Sequence, residues 1–277
     1  MSLRKDIPDQ YIEIEGLQIR YIEHGEGRPL LCIHGMGFVL SADQFLPHID
    51  QLGQIAHVYA LDLPGWGYSD DPNDDDLFPL WIRVVKQFCE MKGLKDFDIF
   101  GYSIGGWVSC LYAKDNQEEI RRMILLDAPG LNLVAPAFVS NFTMPDRDSV
   151  HGTLVEHMGD MITPEVGDDA YKHLTRAGHE DAFRKLSQYV GNNDIRQQNG
   201  LHSVFPQLEM PLLLAQMDNA GAVLIRYIFE AYQLAPNARV YIYYGGTKRL
   251  VGGIVKSMEE TAIEFLTASE VPPPPRK

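Results

Sequence analysis

A single serine, Ser103, stands between two glycines in the stretch DIFGYSIGGW, residues 98–107. Gly101 precedes it by two residues and Gly105 follows it by two, directly after a short apolar run that is typical of a buried strand. Glycines at these positions let the backbone turn sharply from strand to helix and hold the central residue in a strained, exposed conformation. The spacing therefore predicts a nucleophile elbow, in which the amide of Ile104 at the helix N-terminus stabilises a developing oxyanion. The alternative is an ordinary helix-start turn whose serine only caps the helix.

The segments that must position this serine alternate between apolar runs and amphipathic stretches. Continuous apolar runs such as PLLCIHG, FDIFG and RMILLDAPG are typical of strands buried on both faces of a parallel sheet. Between them, LFPLWIRVVKQFCEMKGL predicts a helix whose apolar face comprises Leu80, Val84, Val85, Phe88 and Met91. This alternation predicts an α/β protein with a mostly parallel central sheet and helices on both sides.

The stretch between the run RMILLDAPG and the next apolar run, MPLLLAQMD, departs from this pattern. From about residue 132 to residue 209 there is no clear strand, and loop signals such as ITPEVGDD and GNNDIRQQNG separate short helical segments. We expect this stretch to be a helical insertion above the sheet.

Three motifs occur in a fixed order along the first part of the chain. CIHGMG (residues 32–37) follows one predicted strand, ALDLPGWGYSD (residues 60–70) ends the next, and the serine elbow follows about thirty residues later. In order and spacing they resemble the α/β-hydrolase superfamily, specifically its small cap-bearing members. The resemblance covers nearly the whole chain and implies the α/β-hydrolase fold, with a core domain in residues 1–131 and 210–277 and a helical cap in residues 132–209.

The resemblance also implies roles for individual residues. The amides of Met36 and Ile104 would form the oxyanion hole, and His34 would shape the turn rather than act as a base. Asp62 and the acidic run DDPNDDD, residues 70–76, are expected to be structural and solvated.

The other two members of a catalytic triad are altered in this sequence. The superfamily places its histidine in a G-x-[GT]-H turn after the last strand, and here the matching position in YYGGTKRL is Lys248, or Thr247 if the register slips by one. The acid position falls in QMDN, which puts Asn219 at that position and Asp218 one residue before it. The resemblance thus names Lys248 and Asp218 as candidate catalytic residues beside Ser103.

The source of a base for Ser103 stays open at this point. Lys248 could serve only if its pKa fell by about 3 units, to the neutral range. The other candidates are the histidines of the predicted cap: His151, His157, His173, His179 and His202.

Three functions are compatible with these residues. The first is an atypical enzyme that performs hydrolysis, lyase, cyclase or isomerase chemistry on an activated small carbonyl compound. The second is a non-catalytic binding protein on a retired hydrolase scaffold, in which Ser103 donates a hydrogen bond to the ligand. The third is a conventional serine hydrolase whose base comes from elsewhere, and among the three we favour the first.

Aromatic residues near the motifs predict a small, largely apolar ligand. The expected pocket residues are Gly35, Phe38, Trp66, Trp107 and Phe138, with Phe142 and Met144 from the cap as further candidates. The sequence shows no metal-ligand cluster and no phosphate-binding glycine loop, so no cofactor or metal is expected.

Composition narrows the classes of partner. The net charge of −14 and the sequence pI near 5.0 disfavour binding to nucleic acid or an anionic membrane, and a small-molecule ligand is expected instead. The three cysteines, Cys32, Cys89 and Cys110, each lie in an apolar segment and are expected to be buried thiols. No signal-peptide pattern or membrane-spanning run is seen, so we expect a cytoplasmic protein. The sequence does not indicate an oligomeric state.

Overall fold

The computed structural model describes residues 6–72, 74–217, 223–243 and 254–269, with the side chains of residues 254–258 excepted. Within these ranges eight strands form one sheet: β1 Gln10–Ile14, β2 Leu17–His24, β3 Pro29–Ile33, β4 His57–Leu61, β5 Phe97–Tyr102, β6 Ile120–Leu126, β7 Leu212–Met217 and β8 Ala238–Tyr243. The α-helices are α1 Ile49–Gly53, α2 Leu77–Lys92, α3 Ile104–Asn116, α4 Ala137–Ser140, α5 Arg147–Met158, α6 Pro164–Leu174, α7 His179–Gly191, α8 Asn193–Gln198, α9 Arg226–Leu234 and α10 Ile254–Thr267. A 3-10 helix at Ala42–His48 precedes α1.

The strands follow the order β1-β2-β4-β3-β5-β6-β7-β8 across the sheet. β2 pairs antiparallel with both β1 and β4, and every pairing from β4 to β8 is parallel. The mostly parallel sheet with flanking helices is therefore confirmed. In such a sheet the carboxyl ends of the parallel strands share one edge, and ligands bind outside that edge.

Apolar side chains fill both faces of the sheet. One buried cluster joins the sheet to α2 and α3 and continues upward through Phe183 and Leu186 of α7. The other lies on the opposite face and joins the sheet to the 3-10 helix, α1 and α10. Burial on both faces explains why β6 and β7 read as continuous apolar runs.

The apolar face predicted for helix α2 is buried over most of the helix. Leu80, Val84, Val85 and Phe88 are buried, but Met91 is 56% exposed. The buried stripe continues from Val85 to Cys89, four residues on, so the last turn presents Met91 to solvent.

The chain between β6 and β7 holds α4 to α8 and no strand, and all of it is described. We call residues 132–209 of this stretch the cap segment. Its helices pack against one another, α5 on α6 and α4 on α7, and they cover the carboxyl edge of the sheet next to Ser103.

Candidate active site

Ser103 occupies the turn between β5 and α3 in a strained conformation. Its φ of 50° and ψ of −118° lie in a region that L-residues other than glycine rarely adopt. The glycines around it are required by close backbone contacts. A Cβ on Gly101 would lie 2.5 Å from the Cα of Gly106, and one on Gly105 would lie 2.2 Å from the carbonyl oxygen of Ile33. The elbow is therefore held in shape by packing that only glycine permits.

The turn after β3 is joined to this elbow. The amide of Gly105 donates to the carbonyl oxygen of His34 across 3.1 Å. This bond brings the turn that carries Met36 next to the start of α3, which carries Ile104. Met36, Ser103 and Ile104 all line the same cavity.

His34 has the structural role that the resemblance implied. Its Nε2 accepts from the amide of Leu63 at 3.1 Å, so Nδ1 carries the proton and donates to the carbonyl of Gly35 at 2.9 Å. Burial lowers its pKa, which keeps the ring neutral. With both ring nitrogens engaged, His34 has none left to accept a proton from Ser103.

The cavity above Ser103 has a volume of about 400 Å³ and lies between the sheet edge and the cap segment. Phe38 and Phe138 line it, as the sequence predicts, and so does Phe142. Phe38 also packs against Phe142 and Phe183, with ring centroids 5.1 and 4.9 Å apart. One side of the cavity is thus apolar and aromatic.

Three predicted pocket residues lie elsewhere. Trp66 is fully buried beside the rings of His34 and Trp81, and Trp107 is fully buried with its Nε1 donating to the carbonyl of Asn199 at 2.7 Å. Gly35 is covered by the ring of Tyr102, which would lie 2.5 Å from a Cβ at that position. Trp66 and Trp107 shape the scaffold behind the cavity wall, because their side chains point into the core. Gly35 is separated from the cavity by the Tyr102 ring.

Polar side chains line the rest of the wall. They are Tyr102, Asp127, Asn132, Thr143, Thr153, His157, Ser187 and Arg196. Of these eight residues, the sequence predicts a role only for His157, as a candidate base. It gives no prediction for Asp127, Arg196 or the other five.

Asp127 directly follows β6. Its amide donates to the carbonyl of Ala215, and one carboxylate oxygen accepts from the amide of Met217, both at 2.9 Å. Burial raises the pKa of the Asp127 carboxyl to about 7, and the Met217 hydrogen bond, which favours the ionised form, offsets only part of that rise. The sequence signal was an acidic residue at the end of the apolar run RMILLD, where a strand reaches the ligand-binding edge of the sheet.

His157, on α5, is the one histidine of the five in the cap segment that lines this cavity. Its Nδ1 lies 2.8 Å from the carbonyl of Thr153. Because a carbonyl only accepts, Nδ1 carries the proton in the neutral ring and Nε2 is left as an acceptor. The other four have contacts elsewhere: His151 with Gly167, His173 with the Gly67 carbonyl, His179 with Asp71 and His202 with Glu230.

Arg196 is a buried cation on the same wall. Its guanidinium donates to the carbonyls of Asn132 and Val190 and lies 4.9 Å from the centre of the Trp107 ring. Burial lowers its pKa to about 10. The contact with Trp107 joins the cap segment to α3, and the two carbonyl contacts lie within the cap segment.

Asp62 is structural, but it is buried rather than solvated. Its oxygens accept from the amides of Ala42 at 2.6 Å and Tyr68 at 2.9 Å, and from Arg20 at 3.4 Å. In the acidic run, Asp71 pairs with His179 and Arg176 of the cap segment. These carboxylates stabilise the loop that carries the second motif.

The candidate catalytic residues Asp218 and Lys248, and their alternatives Asn219 and Thr247, lie outside the described residues. Among the residues that are described, no group of three or more His, Cys, Asp or Glu side chains is arranged to hold a metal ion. Cys32, Cys89 and Cys110 are all buried free thiols. None of the helices in the described part of the chain has the length and apolarity needed to cross a bilayer.

Comparison with known proteins agrees with this geometry. A family model described as the alpha/beta hydrolase fold matches residues 28–158. With the sheet order and the glycine-flanked serine after β5, this match shows that the chain has the alpha/beta hydrolase fold.

Individual relatives are distant. The chain is 26% identical to the dihydrolipoyllysine-residue acetyltransferase component of the acetoin cleaving system of Cupriavidus necator, over 65% of this chain and 49% of that protein. It is 22% identical to the 2-hydroxymuconate semialdehyde hydrolase of Pseudomonas putida, over 82% of this chain and 83% of that protein. A solved meta-cleavage product hydrolase from Pseudomonas fluorescens IP01 has the same fold, with a TM-score of 0.76 at 20% identity over 95% of this chain and 98% of that one. The chain therefore spans about half the length of the first of these relatives and most of the second.

Proposed function

We propose that this protein is an enzyme that cleaves a small, largely apolar carbonyl compound, such as an ester, a lactone or an activated C–C bond. Ser103 is the nucleophile, and the amides of Met36 and Ile104 hold the oxyanion. The observation that carries the proposal is the strained Ser103 on the wall of a roofed cavity that Met36 and Ile104 also line.

The strain at Ser103 supports a catalytic role over a capping role. A serine that only caps a helix accepts a hydrogen bond from an amide of the first turn, and the Ser103 side chain makes no such bond. A strained backbone of this kind costs on the order of 1–3 kcal/mol and clusters at functional sites. The conformation is therefore retained for what the hydroxyl does in the cavity.

The cavity supports a substrate of modest size. Its volume of about 400 Å³ lies in the range of small-molecule sites, and the phenyl rings of Phe38, Phe138 and Phe142 suit an apolar body. Two similar proteins are named as hydrolases of small compounds, 2-hydroxymuconate semialdehyde and a meta-cleavage product. Their names favour hydrolysis over mere binding.

A serine-directed probe tests the proposal. We expect a fluorophosphonate to modify the wild-type protein at Ser103, with p-nitrophenyl butyrate cleaved at the same site, and both reactions to be lost in Ser103→Ala. Ser203→Ala, which alters an exposed serine, is the matched control and should react like the wild type. Peptide mapping by mass spectrometry locates the adduct. An unmodified wild-type protein that still binds apolar ligands would instead be a binding protein.

A further inference from the structure

Ser103 directly follows β5 and Asp127 directly follows β6, so the two residues leave adjacent strands at the same edge of the sheet. β5 and β6 are parallel neighbours in which Tyr102 pairs with Leu126, and the amide of Ser103 donates to the carbonyl of Leu126 at 2.8 Å. Ser103 and Asp127 are therefore the next residues on two adjacent strands, whose backbones run about 4.8 Å apart in a sheet. Both residues line the cavity.

The two residues share a positive φ. Four described residues other than glycine have a positive φ; Glu15 and Asp96 are exposed turn residues, whereas Ser103, at 50°, and Asp127, at 48°, face the cavity. Asp127 is held in this conformation by β7, through the bonds to Ala215 and Met217. Strain of this kind persists only where the surrounding structure enforces it, and it places side chains at functional sites.

The Asp127 carboxylate lacks the partners that a purely structural buried carboxylate normally has. Its hydrogen-bond partner among the described residues is the Met217 amide, and no cation pairs with it in this part of the chain. Asp62, in contrast, accepts two backbone amides and an arginine. Buried charges are usually paired, so a carboxylate on a cavity wall with no cation partner among the described residues is a group that a ligand in the cavity can contact.

We propose that Asp127 is the catalytic base that accepts the proton of the Ser103 hydroxyl, a role that rests on the proposed function. A general base works best when its pKa is near the working pH. Burial brings the pKa of this carboxyl to about 7, which is the range that a histidine ordinarily supplies. In the described part of the chain, the other titratable or charged groups on the cavity wall are Tyr102, His157 and Arg196.

The reaction balances with water as the only co-reactant. The Ser103 oxygen bonds to the carbonyl carbon as its proton passes to Asp127, and the carbonyl π pair moves to the oxygen held by the amides of Met36 and Ile104. Collapse of this adduct breaks the bond to the leaving group, which takes the proton from Asp127. Water then attacks the acyl-Ser103 ester and gives a proton to Asp127, which returns it to the Ser103 oxygen as the acid is released.

The substitution Asp127→Asn tests this role with little change in shape. Asparagine tolerates a positive φ, and its side-chain oxygen can still accept from Met217. We expect fluorophosphonate labelling and p-nitrophenyl butyrate cleavage to fall by about 10²–10⁴-fold, the usual contribution of a general base. Asp115→Asn, on an exposed part of α3, is the matched control and should react like the wild type.

The pH dependence gives a readout that a structural role would not change. The carboxylate is active when deprotonated, so the wild-type labelling rate should rise with pH through about 7, and Asp127→Asn should lose this rise. Asp127→Gly, in which a positive φ costs little, provides a second variant, and added formate should restore part of its rate by occupying the vacated space.

Each alternative result is distinct. Folded Asp127→Asn and Asp127→Gly proteins that label at the wild-type rate with the wild-type pH dependence would overturn this role for Asp127. Loss of the pH-dependent rise in His157→Gln, with the rise retained in Asp127→Asn, would assign the base to His157 instead. A wild-type protein that is not labelled at Ser103 at all would remove the proposed function itself.

Discussion

At the scale of single residues, the site is defined by two side chains that the fold makes costly. Ser103 is strained by its elbow, and Asp127 has a positive φ and is buried with no counter-charge among the described residues. A protein that needed only stability would replace Asp127 with a neutral residue, because a buried carboxylate is disfavoured in its ionised form. The free-energy cost of burying the ionised Asp127 carboxylate should therefore be measurable as a loss of stability of the folded protein.

We predict that Asp127→Asn is more stable than the wild type at alkaline pH. The folded-state pKa is raised to about 7 while the unfolded value is near 3.9, so the folded protein loses stability as pH rises between these two values. The full penalty, at most about 4 kcal/mol, is present above pH 7 and absent below pH 4. Urea unfolding at pH 5 and pH 8 should show a stability gain from Asp127→Asn that is larger at pH 8. An equal effect at both pH values would mean that Asp127 keeps an ordinary pKa.

At the scale of elements, the site is a junction of several strand ends. The turn after β3 is bonded to the first turn of α3 through His34 and Gly105, and β7 holds the residue after β6 through Met217. Since the same edge of the sheet carries all of these contacts, a backbone shift at one strand end alters the position of the others. Among these contacts, the position of Gly105 is the one most sensitive to substitution, because its Cβ would meet the backbone of Ile33.

We predict that Gly105→Ala disrupts the elbow. Its Cβ would lie 2.2 Å from the carbonyl oxygen of Ile33, a backbone atom that cannot move without breaking the sheet. Overpacking of this kind costs on the order of 1–3 kcal/mol or more, so we expect a lower melting temperature and loss of labelling at Ser103.

Gly152→Ala is the matched control for this prediction. Gly152 lies inside α5 with no atom within 4 Å of a Cβ, and alanine is the better helix former by about 1 kcal/mol. The control should therefore be as stable as the wild type or slightly more stable. Equal melting temperatures for Gly105→Ala and Gly152→Ala would contradict the packing described for the elbow.

At the scale of the whole molecule, one buried ion network joins the first half of the sheet. The Arg20 side chain, on β2, is fully buried and pairs with three carboxylates from different segments, Asp9, Asp43 and Asp62. Asp62 in turn holds the loop after β4 through the amide of Tyr68. The network thus links the edge of the sheet to the two loops that border the cap segment.

We predict that Arg20→Met destabilises the protein by about 3–5 kcal/mol, because it leaves three carboxylates buried together without a counter-charge. The loss should be smaller at pH 5 than at pH 8, since burial raises the pKa of Asp43 and its protonation relieves part of the repulsion. Arg83→Met, which removes a partly exposed arginine paired with Glu15 and Asp74, should cost less than about 1 kcal/mol. Urea unfolding of the two variants makes the comparison, and similar losses would show that the buried network does not hold the sheet.

The fold and the strained turn at Ser103 were predictable from the sequence because they depend on short-range rules. Continuous apolar runs predicted the parallel strands, and two glycines around Ser103 predicted the turn that the contacts of Gly101 and Gly105 enforce. Met91 shows the limit of such rules, since its exposure depends on where the buried stripe of α2 ends.

The composition of the site was decided by tertiary structure. A tryptophan in the sequence can line a pocket or fill the core, and residue type does not distinguish the two. Packing against distant segments places Trp66 and Trp107 in the core. Asp127 is 24 residues from Ser103 along the chain, and strand pairing alone places it beside the serine. Burial then raises its pKa to about 7. Proximity and burial both arise from contacts between segments far apart in sequence, so no local pattern of residue types encodes them.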